Sequence, residues 1–185
     1  MTIGTRSVLF GVHQVLLHPL TVAWAWWRLY GFPWDPRLWV AFLVHDLGYL
    51  GRPDMDGELG ELHVEWGGWV MGALFGRRWH DFTLYHSRFT AKRDGRPISR
   101  LCIADKYAFV VTPRWLYLLL GRLSGEIREY MARSQGDAKY THAAIDAASV
   151  LRWHASVKDY LGRWVAEHRD SLDDTWTRAS QEARP

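Results

Sequence analysis

Hydrophobic residues recur along most of this chain at spacings of three and four, the period of an amphipathic helix. An apolar segment, Ser7–Leu17, comes first and ends near His18-Pro19. After it the pattern predicts these helices: Pro19–Tyr30, Pro36–His45, Glu61–Phe75, Trp79–Phe89, Ile98–Val110, Pro113–Met131 and Ala138–His168. Alternating, strand-like runs are too short to count. The pattern therefore predicts an all-α fold of about seven helices.

Polar stretches rich in glycine and proline separate the helices and are predicted loops: Gly31–Pro36, Gly48–Gly60 and Ala91–Pro97. No interior linker is visible, so we expect one domain over residues 1–170 and a polar tail over residues 171–185. We expect neither a secretory signal nor a membrane-spanning helix. The apolar run Trp115–Leu120 fits a buried helix or one on a membrane surface, and we predict the buried helix because basic residues do not cluster along one face.

The amino-acid composition argues against some classes of function and favours others. The 185 residues include 23 Lys and Arg against 20 Asp and Glu, an excess too small to indicate nucleic-acid binding. Cys102 is the single cysteine, which excludes a disulfide within the chain and predicts a reducing, cytoplasmic location. Twelve tryptophans and nine histidines are unusually many. The indoles can fill a core, line a pocket or form an apolar patch that would admit a homodimer, and the histidines point towards a metal.

His45 and Asp46 end an apolar helix just before Gly48. Burying a carboxylate beside an imidazole is unfavourable unless something binds both, and a first-row metal accepts that pair. By itself the dipeptide favours a simpler interpretation, in which Asp46 caps the next turn. His18 at a helix start and Asp105, a lone acid in an apolar helical stretch, favour the metal, because a buried acid needs a partner.

The order His18, His45-Asp46 and Asp105, each in helical apolar sequence, resembles the HD superfamily of metal-dependent phosphohydrolases. The resemblance covers roughly Val12 to Thr112. It implies a single HD-type helical domain in which these four residues hold a divalent metal. The donor types do not distinguish Mn, Fe, Co, Zn and Mg.

Two further histidines are similar to the extra ligands of the two-metal branch of that family. His63 stands in a His-x-x-x-Gly segment, and His86 is followed by Ser-Arg. The segment Ile98–Lys106 looks like the closing segment of bacterial HD enzymes that split diadenosine tetraphosphate symmetrically. With six ligands, Asp46 would bridge two ions. One ion, with His63 and His86 as ordinary core or surface residues, is the open alternative.

The resemblance implies hydrolysis of a phosphoester or phosphoanhydride bond in a nucleotide or related small phosphate compound by metal-activated water. We predict Asp46 and, as acid or base, Glu61 as catalytic. The predicted substrate-binding residues are Arg88, Lys92, Lys106 and Trp24. A solvated basic loop and plain core packing of Trp24 are the simpler alternatives. Tyr49 is a departure, since many relatives carry lysine there.

Two other functions remain open at this point. The same scaffold with two irons would serve an HD-type oxygenase acting on a small phosphonate-like substrate. A non-catalytic nucleotide-binding module that kept its metal is the third alternative. Phosphate loops rich in glycine and a serine nucleophile elbow are absent from the sequence.

Overall fold

The computed structural model describes residues 1–136 and 145–171, and all regular secondary structure in these residues is helical. The α-helices are α1 (Ile3–Phe10), α2 (Leu17–Tyr30), α3 (Pro36–Val44), α4 (Val64–Phe75), α5 (Arg77–Leu84), α6 (Arg88–Arg93), α7 (Arg100–Val111), α8 (Arg114–Ser124), α9 (Glu126–Gly136) and α10 (Val150–His168). Two short 3-10 helices, Leu47–Tyr49 and Gly60–His63, complete the described elements. The all-α prediction is confirmed, with ten α-helices in the described residues rather than about seven.

Three predicted helices are interrupted or shortened in the structure. The predicted helix Trp79–Phe89 ends at Leu84 before the turn that carries His86, and α6 extends into the predicted loop Ala91–Pro97. The predicted helix Pro113–Met131 is divided into α8 and α9 because Gly125 adopts a left-handed conformation, with φ of 91°. The predicted helix Ala138–His168 has no helical turn over residues 145–149, and α10 begins where the Ser149 side chain accepts a hydrogen bond from the Arg152 amide. Residues 138–144 and the predicted tail from residue 172 onward lie outside the described residues.

Helix α7 lies at the centre of the packing. Leu101 and Ala104 face a core shared with α2, α3 and α4, whereas Cys102 and Ile103 face a second core shared with α10. A helix buried on opposite sides needs apolar residues almost all round, and α7 has them. Asp105 is the one acidic residue of this helix.

Helix α8 differs from its prediction. Only one side of it is buried, through Tyr117 and Leu118, while Trp115 and Leu123 on the other side are exposed. No helix within the described residues combines the length and the apolar character needed to cross a membrane.

Candidate metal centre

The structure brings all six predicted metal ligands together from five places in the chain. His18 lies in the first turn of α2, and His45 and Asp46 directly follow α3. The other three come from the 3-10 helix before α4, the turn after α5 and the middle of α7: His63, His86 and Asp105. The side chains form two groups that share Asp46.

The first group joins His18, His45, Asp46 and Asp105. The Nε2 atom of His18 lies 3.1 Å from Oδ2 of Asp46 and 3.1 Å from Oδ1 of Asp105. Nε2 of His45 lies 3.2 Å from the same Asp46 oxygen and 3.2 Å from Nε2 of His18. Two imidazole nitrogens and two carboxylate oxygens thus face one another, which is a donor set that a first-row metal ion accepts.

The second group uses the other oxygen of Asp46. Nε2 of His86 lies 3.3 Å from Oδ1 of Asp46, and Nε2 of His63 lies 3.6 Å from it. The two imidazole nitrogens are 3.1 Å apart. The two oxygens of one carboxylate therefore point into two different clusters of nitrogen donors, as a carboxylate does when it bridges two ions.

Backbone carbonyls fix the orientation of three of these imidazoles. Nδ1 of His45 lies 2.9 Å from the carbonyl of Phe42, and Nδ1 of His63 lies 2.7 Å from that of Gly60. Nδ1 of His86 lies 2.6 Å from the carbonyl of Thr83. A carbonyl can only accept a hydrogen bond, so each Nδ1 carries a hydrogen and each ring directs its Nε2 inward, where it can bind a metal once that nitrogen is deprotonated.

The electrostatics of the two groups differ. Burial would lower the pKa of His45, but the carboxylates of Asp46 and Asp105 outweigh it and raise that pKa to about 10. Burial lowers the pKa of both His63 and His86, so these rings are neutral at pH 7. The first group therefore holds a positive charge between its carboxylates, which a metal ion would supply in place of a proton.

The surroundings of Oδ2 of Asp46 fit a bound cation. Oδ2 of Asp46 is buried and accepts no well-directed hydrogen bond from any described residue, although two imidazole nitrogens lie 3.1 and 3.2 Å away. A cation bound between these atoms would satisfy the carboxylate oxygen and both imidazole nitrogens at once. The buried His/Asp cluster can thus hold metal.

Close backbone packing places His45 beside the helix that follows His63. A Cβ on Gly67 of α4 would lie 2.8 Å from the carbonyl oxygen of Val44 and 3.1 Å from Cα of His45. A Cβ on Gly48 would overlap the carbonyl of His63. Glycine is required at both positions because the end of α3 and the start of α4 touch through their backbones.

We expect Gly67→Ala to destabilise the protein and Gly68→Ala to leave it intact. A Cβ on Gly68 would lie 3.4 Å from Cβ of Leu84, an ordinary contact. Urea denaturation of the two variants should give a loss of about 1–3 kcal/mol for Gly67→Ala, from overpacking. It should give a gain of up to about 1 kcal/mol for Gly68→Ala, from helix propensity. Equal stability of the two variants would contradict the backbone contact.

A cavity of about 470 Å³ opens beside the two groups. Four predicted residues line it: Glu61, Arg88, Lys92 and Lys106. The Lys106 ammonium lies 2.9 Å from Oδ2 of Asp105, and the Ser87 hydroxyl donates a hydrogen bond of 3.1 Å to Glu61. The Arg88 guanidinium lies 4.6 Å from the ring centre of Trp164. The predicted acidic and basic residues therefore line the same cavity as the His/Asp cluster.

Trp24 lies elsewhere. Its ring is exposed on α2, packs edge-on against Trp27 at 5.4 Å, and is not among the residues that line the cavity. Its role in stacking a base stays a prediction that the cavity geometry does not favour.

His13 and Glu126, to which the sequence assigns no role, form a pair next to the first group, with Glu126 fully buried and His13 partly buried. Nδ1 of His13 lies 3.0 Å from Oε2 of Glu126, and the carboxylate raises the pKa of this histidine to about 9 against the opposing effect of burial. The His13 ring packs edge-on against His18. No local pattern marks this pair, because its members lie 113 residues apart.

Tyr49, the departure from the family pattern, also has a place. Its ring stacks on that of His63, with centres 3.8 Å apart and planes within 11°. The aromatic contact holds the imidazole of His63 in one orientation, where a lysine at position 49 would bring a charge.

Comparisons with known proteins add no assignment: no family model, no curated protein and no solved structure matches this chain. What the site can do therefore follows from its own geometry.

Proposed function

We propose that this protein is a metal-dependent phosphohydrolase of the HD type with a two-ion centre. The observation that carries the proposal is the position of Asp46, whose Oδ2 faces His18 and His45 while its Oδ1 faces His63 and His86. A one-ion site would need only the first of these groups. Burial of two more neutral imidazoles against the second oxygen is best explained by a second ion.

A divalent ion bound there would supply a water of lowered pKa and a positive charge for phosphoryl oxygens. The chain's own residues would do the rest. Lys106 holds Asp105 in place and brings an ammonium beside the first group. Arg88 and Lys92, which line the same cavity, would neutralise phosphate charge. Glu61, held by Ser87, is our candidate for moving a proton at the attacking water or the leaving oxygen.

The far wall of the cavity favours a substrate with an aromatic or apolar part. Away from the ligands it is lined by side chains that include Phe109, Tyr117 and Trp153. A nucleobase would find ring faces to stack on there, and a hydrocarbon group would find an apolar surface. This wall, rather than Trp24, is our candidate for the site of the organic part of a phosphate compound.

The proposal is tested by metal analysis and phosphate release without oxygen. We expect the wild-type protein, reconstituted with Mn or Co, to bind two ions per chain and to release phosphate from members of a panel of nucleotides, dinucleoside polyphosphates and phosphorylated apolar alcohols. The double variant H63A/H86A should retain one ion and lose at least about 100-fold in rate, or roughly 2.7 kcal/mol of transition-state stabilisation.

His80→Ala is the matched control, because this half-exposed imidazole pairs with Asp81 and belongs to neither group. It should bind and turn over as the wild type does. Turnover that requires iron and oxygen would replace the hydrolase with the oxygenase alternative. Metal binding without turnover of any panel member would favour the binding module instead.

A further inference from the structure

Helix α8 exposes an apolar ridge that no described residue covers. Trp115, Leu119 and Leu123 are spaced four residues apart on one side of the helix, and their exposed fractions are 68%, 49% and 59%. The opposite side, through Tyr117 and Leu118, packs against α9 and α10. Large apolar side chains aligned on an exposed helix face are typical of a surface that binds a protein partner or a membrane.

Positive charge flanks the ridge at both ends. Arg114 begins α8, Arg122 lies in its last turn, and the helix contains no acidic residue. Both arginines are exposed, and neither forms an ion pair with a residue in the described ranges. Lys158 of α10 and Arg114 both lie close enough to His154 to act on it. Together with burial, these two positive charges lower the pKa of His154 to about 4. The face is therefore both apolar and basic.

The ridge also adjoins the cavity of the metal centre. Leu116 and Leu120 line that cavity. Because successive residues of a helix are about 100° apart, these two leucines lie next to the ridge around α8. One helix thus forms a wall of the cavity and an exposed apolar face side by side.

We propose that α8 docks this protein on the surface of an anionic phospholipid bilayer, with the ridge of Trp115, Leu119 and Leu123 inserted among the acyl chains nearest the headgroups. Tryptophan favours that depth of a bilayer, since its ring is apolar and its N–H can bond to headgroup oxygens. Arg114 and Arg122 are long enough to reach lipid phosphates from the flanks.

Charge argues against a second copy of the chain as the occupant. In a two-fold pairing of α8 with itself, antiparallel helices would set Arg114 against Arg122, and parallel helices would set each arginine against its own copy. The helix offers no acid to relieve the repulsion. Lipid phosphates supply the missing negative charge.

The test is flotation of the whole chain with vesicles, either of phosphatidylcholine alone or of an equal mixture with phosphatidylglycerol. We expect binding to the mixed vesicles and much less to the neutral ones. The variant W115S/L123S should bind at least about tenfold more weakly, through lost apolar insertion. The variant R114Q/R122Q should lose about fivefold per arginine on mixed vesicles only.

The matched control is W69S/L74S on α4, whose side chains are exposed to 67% and 61%, as much as those of Trp115 and Leu123. This variant should float like the wild type, and circular dichroism should show all variants folded. Absence of wild-type flotation would overturn the proposal, as would equal losses for the α4 and α8 variants. A change from dimer to monomer in W115S/L123S, without a change in flotation, would assign the ridge to a second copy. Since the readout is binding, failure here leaves the hydrolase proposal intact.

Discussion

If the centre holds two ions as proposed, an Asp46→Asn protein is expected to lose both. Each oxygen of this carboxylate faces a different group of imidazoles, so replacing one oxygen by an amide removes the shared anion from both. Even an outer partner of a metal ligand is worth about 10–100-fold in affinity, so loss of the bridging ligand should weaken metal binding by more than about 100-fold at both positions. Metal content after dialysis measures this directly, and phosphate release should fall below detection.

Asp105→Asn is the matched comparison. Asp105 contacts the first group only, through His18 at 3.1 Å and His45 at 3.9 Å. We expect this variant to lose the ion held by the first group and to retain the ion held by His63 and His86. If D46N and D105N lose the same number of ions, Asp46 is not a bridge. If D46N keeps two ions, the site does not use this carboxylate at all.

The residues of the His/Asp cluster could be predicted from the sequence because they carry recognisable chemistry in a recognisable order. An acid such as Asp105 stands out in an apolar helix, and the pair His45-Asp46 stands out at a helix end. The division of these residues into two groups that share Asp46 could not be predicted. Which oxygen of Asp46 meets which imidazole depends on how five chain segments pack, and periodicity along one helix carries no information on that.

The helix boundaries illustrate a second limit. Apolar periodicity runs through Gly125 without interruption, so the period alone does not show that this glycine turns left-handed and ends α8. The apolar run Trp115–Leu120 was predicted as a buried helix, whereas Trp115 and Leu119 are exposed. An apolar residue on a helix is compatible with a core, a partner or a lipid surface, and only the neighbouring helices decide among them.

The His13–Glu126 pair could not be predicted from the sequence, because its two residues meet only through the packing of distant segments. Glu126 is fully buried at the start of α9. Its Oε1 accepts hydrogen bonds from the Ser124 hydroxyl at 2.6 Å and the Val12 amide at 3.1 Å. Its Oε2 accepts one from the Tyr130 hydroxyl at 3.2 Å and lies 3.0 Å from Nδ1 of His13.

We expect Glu126→Ala to destabilise the protein by about 3–5 kcal/mol, because it leaves the partly buried His13 imidazolium and three other donors without their acceptor. Glu126→Gln keeps the shape and one acceptor oxygen, so it should cost less. Urea denaturation with a chelator present measures both changes apart from metal binding. Glu65→Ala, at an exposed position on α4, should stay within about 0.5 kcal/mol of the wild type.

Substitution of Glu126 should also affect the candidate metal centre, because the His13 ring contacts residues of that centre. His13 packs on His18 with ring centres 5.3 Å apart and on Tyr49 at 5.2 Å, and Tyr49 in turn stacks on His63. Releasing His13 therefore loosens a ligand in each group. We expect Glu126→Gln, at a temperature where it is fully folded, to bind metal more weakly than the wild type. Unchanged affinity in a measurably destabilised E126Q protein would confine the pair to a structural role.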